Sequence, residues 1–124
     1  MDSSAGKKTL VIGASDNPDR YSYLAVNSLR GHHHPVIAIG RRDTMVADVR
    51  VETQKKNHPG VDTVSLYLNP QNQKEYYNYI LSLHPKRIIF NPGAENEELL
   101  NLAKSNGIEA LEACTLVLLS TNQY

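Results

Sequence analysis

Lys8-Thr9-Leu10-Val11-Ile12-Gly13-Ala14-Ser15-Asp16-Asn17-Pro18-Asp19-Arg20-Tyr21-Ser22-Tyr23 is the stretch that decides the fold. Residues 8–13 form a short apolar run ending on glycine, the pattern of a buried strand. Asp16, Asn17 and Pro18 favour irregular backbone, which makes 14–21 a turn. Ser22 can then cap a helix that runs to about Arg30. Tyr21, Leu24, Ala25, Ser28 and Leu29 give that helix an inward stripe, and Gly31 ends it. A strand, a tight turn carrying glycine and a helix make the opening unit of a nucleotide-binding α/β sheet.

Working outward, the alternation repeats. Val36–Gly40 reads as a second buried strand, a weak third lies near 48–52, and 55–60 is polar loop. Val61–Leu68 is the next strand, stopped by Asn69-Pro70. A helix follows over 71–83 with Tyr76, Tyr77, Ile80 and Leu81 inward. Arg87–Phe90 is a strand closed by Asn91-Pro92-Gly93. Residues 95–105 are helical, with acids in the first turn and Leu99, Leu102 and Ala103 inward. Ile108–Ala113 is the last strand, and a short apolar helix follows. Strands without an exposed face, separated by helices, imply a parallel sheet covered on both sides. The fold class is therefore α/β, a three-layer, Rossmann-like, doubly wound sheet of about five mainly parallel strands. Residues 1–6 read as a disordered leader and 7–124 as one domain.

Bulk composition limits the partners. Thirteen basic and thirteen acidic side chains cancel over 124 residues, so no overall field draws the chain to nucleic acid or an anionic membrane. Any anion must be captured by a local site. No apolar run approaches the roughly 20 residues of a membrane span. The single cysteine, Cys114, suits a reducing cytoplasm.

Ligands of doubly wound sheets bind beyond the carboxyl ends of the strands, beside the first one. In the first loop Gly13 lets a ligand approach the backbone, and the Ala14 and Ser15 amides with the helix start supply donors for a phosphate. Ser15 adds a hydroxyl and Arg20 a two-donor fork. The dinucleotide pattern G-x-G-x-x-G is not met, because Ser15 and Pro18 stand at its second and third glycines. After the second strand, where an NAD-binding domain places a carboxylate for the ribose, this chain has Gly40-Arg41-Arg42. Two guanidinium groups favour a phosphorylated ribose, either an NADP-like 2′-phosphate or the 3′-phosphate of coenzyme A, with Asp43 able to neutralise them in part.

The run Gly13-Ala14-Ser15, Pro18, Arg20, Ser22-Tyr23 resembles the opening motif of small stand-alone CoA-binding domain proteins, which are similar to the N-terminal part of the succinyl-CoA synthetase α subunit. The resemblance continues through Val61–Val64, Asn91–Ala94 with Asn96-Glu97-Glu98, and Cys114. It implies that the Gly13–Ser15 loop holds the pyrophosphate, braced by Arg20 and Ser22. It implies further that Gly40-Arg41 meets the adenosine end, and that Asn69-Pro70 with Asn91-Pro92-Gly93 lines the pantetheine path. Two places depart from the family: Ala38–Arg41 replaces a Pro-Val-Asn-Pro stretch, and Glu112-Ala113 replaces Asp-Arg before the cysteine.

The expected function is non-catalytic binding of coenzyme A or an acyl-CoA, with a protein partner or homo-oligomer as its context. An NADP-type oxidoreductase module and a degenerate Rossmann scaffold for protein interaction are the alternatives. No nucleophile, base and acid can be assembled from the loops, and no metal site is expected. His32-His33-His34 reads as a solvated loop, Cys114 as a buried thiol, and the tyrosines at 76, 77 and 79 as packing groups.

Overall fold

The computed structural model describes residues 6–124. Of the expected leader, 1–5 lie outside the described residues. Gly6 lies so close to the His33 carbonyl and the His34 ring that a Cβ on it would meet both.

The central strand is β1 (Thr9–Ala14), whose Leu10, Val11 and Ile12 are wholly buried. It pairs in parallel with β2 (Val36–Gly40) on one side and β5 (Thr63–Leu66) on the other. Beyond β2 lies β4 (Val49–Glu52), and beyond that β3 (Thr44–Val46), which runs antiparallel to it. On the other flank follow β6 (Arg87–Phe90) and β7 (Glu109–Glu112). The order is β3-β4-β2-β1-β5-β6-β7. Without β3, the parallel strands run 3-2-1-4-5-6 in chain order, the Rossmann arrangement.

Alternate residues of the strands feed two cores. Leu10, Ile12, Val64 and Ile88 pack with Ile80, Leu83, Leu99 and Ala103, beneath α3 (Tyr77–Leu83) and α4 (Glu97–Ser105). Val11, Ala38 and Val51 pack with Val26, Leu29 and Leu119, beneath α1 (Tyr21–Gly31) and α5 (Thr115–Ser120). Because both faces are covered, the inner strands β1, β2 and β6 are near-continuous apolar runs and stood out in the sequence. By contrast, β4 and β7 expose Arg50, Glu109 and Glu112.

The sheet has seven strands where about five were expected. The weak third strand is β4, and the unexpected one is β3 before it. Ala47, at φ +53, turns the chain between them, a position that no glycine advertises.

The helix starts also differ. The residue capping α1 is Arg20, since the Tyr23 and Leu24 amides both donate to its carbonyl. Ser22 falls in the first turn and is buried, while Tyr21 and Leu24 are 71% and 42% exposed. The inward stripe is Ser22, Ala25, Val26 and Leu29, one position away from the expected one. Leu102 is likewise at the surface, leaving Leu99 and Ala103 inward on α4.

The helix expected over 71–83 is interrupted. It divides into α2 (Pro70–Gln73), a 3-10 turn (Lys74–Tyr76) and α3. The cause is Gln73, fully buried, whose side-chain amide donates to the carbonyls of Leu68 and Ala94 at 2.8 and 2.7 Å. Those bonds hold the first turn to the loops that follow β5 and β6, and α3 then brings Ile80 and Leu83 into the core.

Among the described residues, no helix is long and apolar enough to cross a membrane. Nor do three His, Cys, Asp or Glu side chains converge there. In the histidine run, His32 and His33 are exposed, but His34 is partly buried, accepts the Lys7 amide and packs its ring on Tyr124.

Candidate nucleotide-binding site

The site is built where β1 ends. Ile12 lies opposite Ile39, but the next pair is Ala14 with Gly40, so Gly13 is bulged out of the ladder. Its φ of +95° is strained for any residue with a side chain, and a Cβ there would stand 3.2 Å from Leu68. At Gly40 a Cβ would collide with the Ala14 carbonyl oxygen. The two glycines let neighbouring strand ends close up while the space beyond them stays open.

That space is a cleft of about 820 Å³ at the carboxyl ends of β1, β2 and β5, within the roughly 300–1,000 Å³ of small-molecule sites. Gly13, Ala14, Ser15, Arg20 and Ser22 line it from the first loop, and Gly40, Arg41 and Arg42 from the second. Asn69 and Pro92 complete the share of expected residues that border it. The start of α1 faces this cleft with no capping side chain and no acid in its first turn. Its leading amides therefore keep their positive end available to an anion.

The arginines do not stand alike. Arg42 Nη2 donates to Asp16 Oδ1 at 2.6 Å, and Thr44 Oγ1 donates to the other carboxylate oxygen at 2.8 Å. These contacts, Thr44 first, hold the Asp16 carboxyl below its usual range. Asp43 does not neutralise the pair as expected; it binds Arg50 instead. Arg20 and Arg41 are exposed on the cleft wall, and among the described residues neither guanidinium has a carboxylate partner.

The remaining expected residues lie elsewhere. Pro18 is exposed in the turn, and Tyr23 packs beside the α1–α5 core. Pro70 occupies the first turn of α2, which Asn69 caps by accepting the Asn72 amide at 2.9 Å. The Gly93 amide donates to Glu95. Asn91 is fully buried: its amide nitrogen donates to Ser65 Oγ and the Leu66 carbonyl, and its oxygen accepts the Thr115 amide at 2.8 Å. It joins β5, β6 and α5 beneath the cleft floor.

Sequence reasoning missed Asp16, Thr44 and Tyr76, all on the cleft wall. Asp16 looked like turn chemistry, and Tyr76 was hidden inside an apparent helical stripe. Tyr67 also borders the cleft, yet its hydroxyl is buried near Ser65, Thr115 and Cys114 without a well-formed hydrogen bond. Burial pushes its pKa up to about 12. Cys114 itself is only partly buried, at the start of α5.

A Rossmann-type α/β protein with a polar cleft at the strand switch point is what this fold and site define. Residues 7–120 match the family described as CoA binding domain. The chain belongs to that family. It is 51% identical to an uncharacterized protein of known crystal structure, with a TM-score of 0.94 over 97% of this chain and 99% of that one. A protein from Thermus thermophilus is 18% identical, with a TM-score of 0.81 over 96% of this chain and 91% of that one. A conserved hypothetical protein from Pyrococcus furiosus is 20% identical, with a TM-score of 0.77 over 90% and 97%. The last two show the shared fold alone. A comparison with curated proteins found no match.

Proposed function

We propose that this protein binds coenzyme A or an acyl-CoA without itself catalysing a reaction. The observation that carries the reading is the pairing of the Gly13 bulge and uncapped α1 start with two arginines on one cleft wall that have no carboxylate partner among the described residues. Coenzyme A bears a pyrophosphate and a separate ribose phosphate, and the residues present fit both. The Ala14–Ser15 turn, the α1 start and Arg20 would hold the pyrophosphate. Arg41 would meet the ribose phosphate. The pantetheine arm would leave past Asn69 and Pro92.

When bound, coenzyme A would supply a thiol or thioester handle. The protein's own part is to orient it and to present or sense it in a reducing cytoplasm. Calorimetry with coenzyme A and dephospho-coenzyme A tests the reading. Micromolar or tighter binding of the first, and at least ten-fold weaker binding of the second, is expected. Absence of measurable coenzyme A binding overturns it.

A further inference from the structure

The chain breaks its helix where it passes the cleft, and Tyr76 is the residue left on the wall. It closes the 3-10 turn with φ −101° and ψ −5°, next to Glu75, which also borders the cleft. The ring is partly buried against the core around Ile80. Lys55, from the loop after β4, sets its ammonium 4.7 Å from the ring centroid, and Glu75 stands 3.6 Å from that ammonium. One face of the ring is thus occupied by a cation held in place by a carboxylate. Tyr76 also borders the cleft, so part of its surface is open to a ligand there. Arg41 is near enough that its charge opposes the rise that burial imposes on the Tyr76 hydroxyl pKa.

Tyr76 and Arg41 border the same cleft, so an aromatic surface shares its wall with the arginine assigned to the ribose phosphate. In a nucleotide, the base and a phosphate on the ribose are joined through one sugar, so a group bound at Arg41 brings its base within reach of Tyr76. Base–aromatic stacking is a recurrent source of affinity that does not require hydrogen-bond readout. We propose that Tyr76 is the platform on which the purine of the bound nucleotide stacks, so the cleft selects the adenosine end of its ligand. The proposal rests on the coenzyme A reading, but it reaches further: it makes the base, and not the phosphates alone, a determinant of affinity.

The test measures wild type, Tyr76→Phe and Tyr76→Ala against coenzyme A, adenosine 3′,5′-bisphosphate and 4′-phosphopantetheine, which lacks the base. Tyr76→Ala should weaken both adenosine ligands about ten-fold or more. Tyr76→Phe should stay within about two-fold of wild type, and phosphopantetheine binding should not depend on position 76. Equal affinity of Tyr76→Ala and wild type for the adenosine ligands overturns the platform, as does an equal loss for phosphopantetheine, which would mark a structural role. If coenzyme A does not bind but the bisphosphate binds with the same dependence on Tyr76, the platform stands and the coenzyme A reading falls. If no adenosine ligand binds, both fall.

Discussion

Arg42 and Asp16 form an ion pair across the mouth of the cleft, with Nη2 2.6 Å from Oδ1. The pair ties the loop after β1 to the loop after β2, and Thr44 reinforces it from the start of β3. Both partners are solvent-accessible, so the pair contributes little to stability. Its consequence is one of assignment. Arg42 has a carboxylate partner, and among the described residues Arg41, its neighbour in sequence, has none.

Arg41→Ala should therefore weaken coenzyme A about ten-fold and leave dephospho-coenzyme A unchanged, since a lost charge-assisted phosphate contact costs about 1.5–3 kcal/mol. Arg42→Ala should change both ligands by the same small factor, through the loop it positions. Calorimetry on the two variants checks this; a selective loss in Arg42→Ala would reverse the assignment.

Asn91→Ala should destabilise the fold by about 3 kcal/mol. It removes the donor to Ser65 and Leu66 and leaves the buried Thr115 amide without an acceptor. Urea unfolding measures the change, and a loss below about 1 kcal/mol would show that Asn91 is not the structural join described.

Tyr67→Phe should hold stability or raise it by up to about 1 kcal/mol, because it deletes a buried hydroxyl that lacks a well-formed hydrogen bond and keeps the ring. A fall in melting temperature of several degrees would mean that the hydroxyl has a partner in solution.

His34 gives a pH dependence with a definite sign. Burial, then the charges of His32, Lys7 and Arg87, lowers its pKa, with Asp62 acting in the opposite sense. Its Nδ1 accepts the Lys7 amide, so the neutral form is the one the fold uses. Below about pH 6.5, the ordinary value, the unfolded chain binds the proton more readily than the folded one. Stability from this group is complete above that pH and declines as pH falls towards the lowered folded value. His34→Asn keeps an acceptor without the titration. Denaturant midpoints at pH 7.5 and 5.5 should converge in the variant and differ in wild type.

The legible part of the molecule was local. Leu10, Val11 and Ile12 announce a strand buried on both faces, Gly13 announces a place where a ligand can approach the backbone, and the acids after residue 94 announce the first turn of a helix. The cleft followed from the same logic, because a parallel sheet that reverses its strand order opens at the reversal. Tyr21 and Leu24 were misplaced because the helix phase depends on its first residue, and Arg20 caps in place of Ser22. The break after Gln73 was not legible, since its cause is an acceptor on Ala94, 21 residues away.

By itself, then, the sequence determined the α/β class, the strand that carries the site and the residue types that can hold phosphate. Periodicity and turn chemistry act between near neighbours and are written in their order. Only the tertiary structure decided that Arg42 is tied to Asp16 while Arg41 is not, that Asn91 serves the core, and that Tyr76 meets the cleft. Those outcomes depend on distances between segments far apart in the chain, and such distances exist only once the sheet has formed.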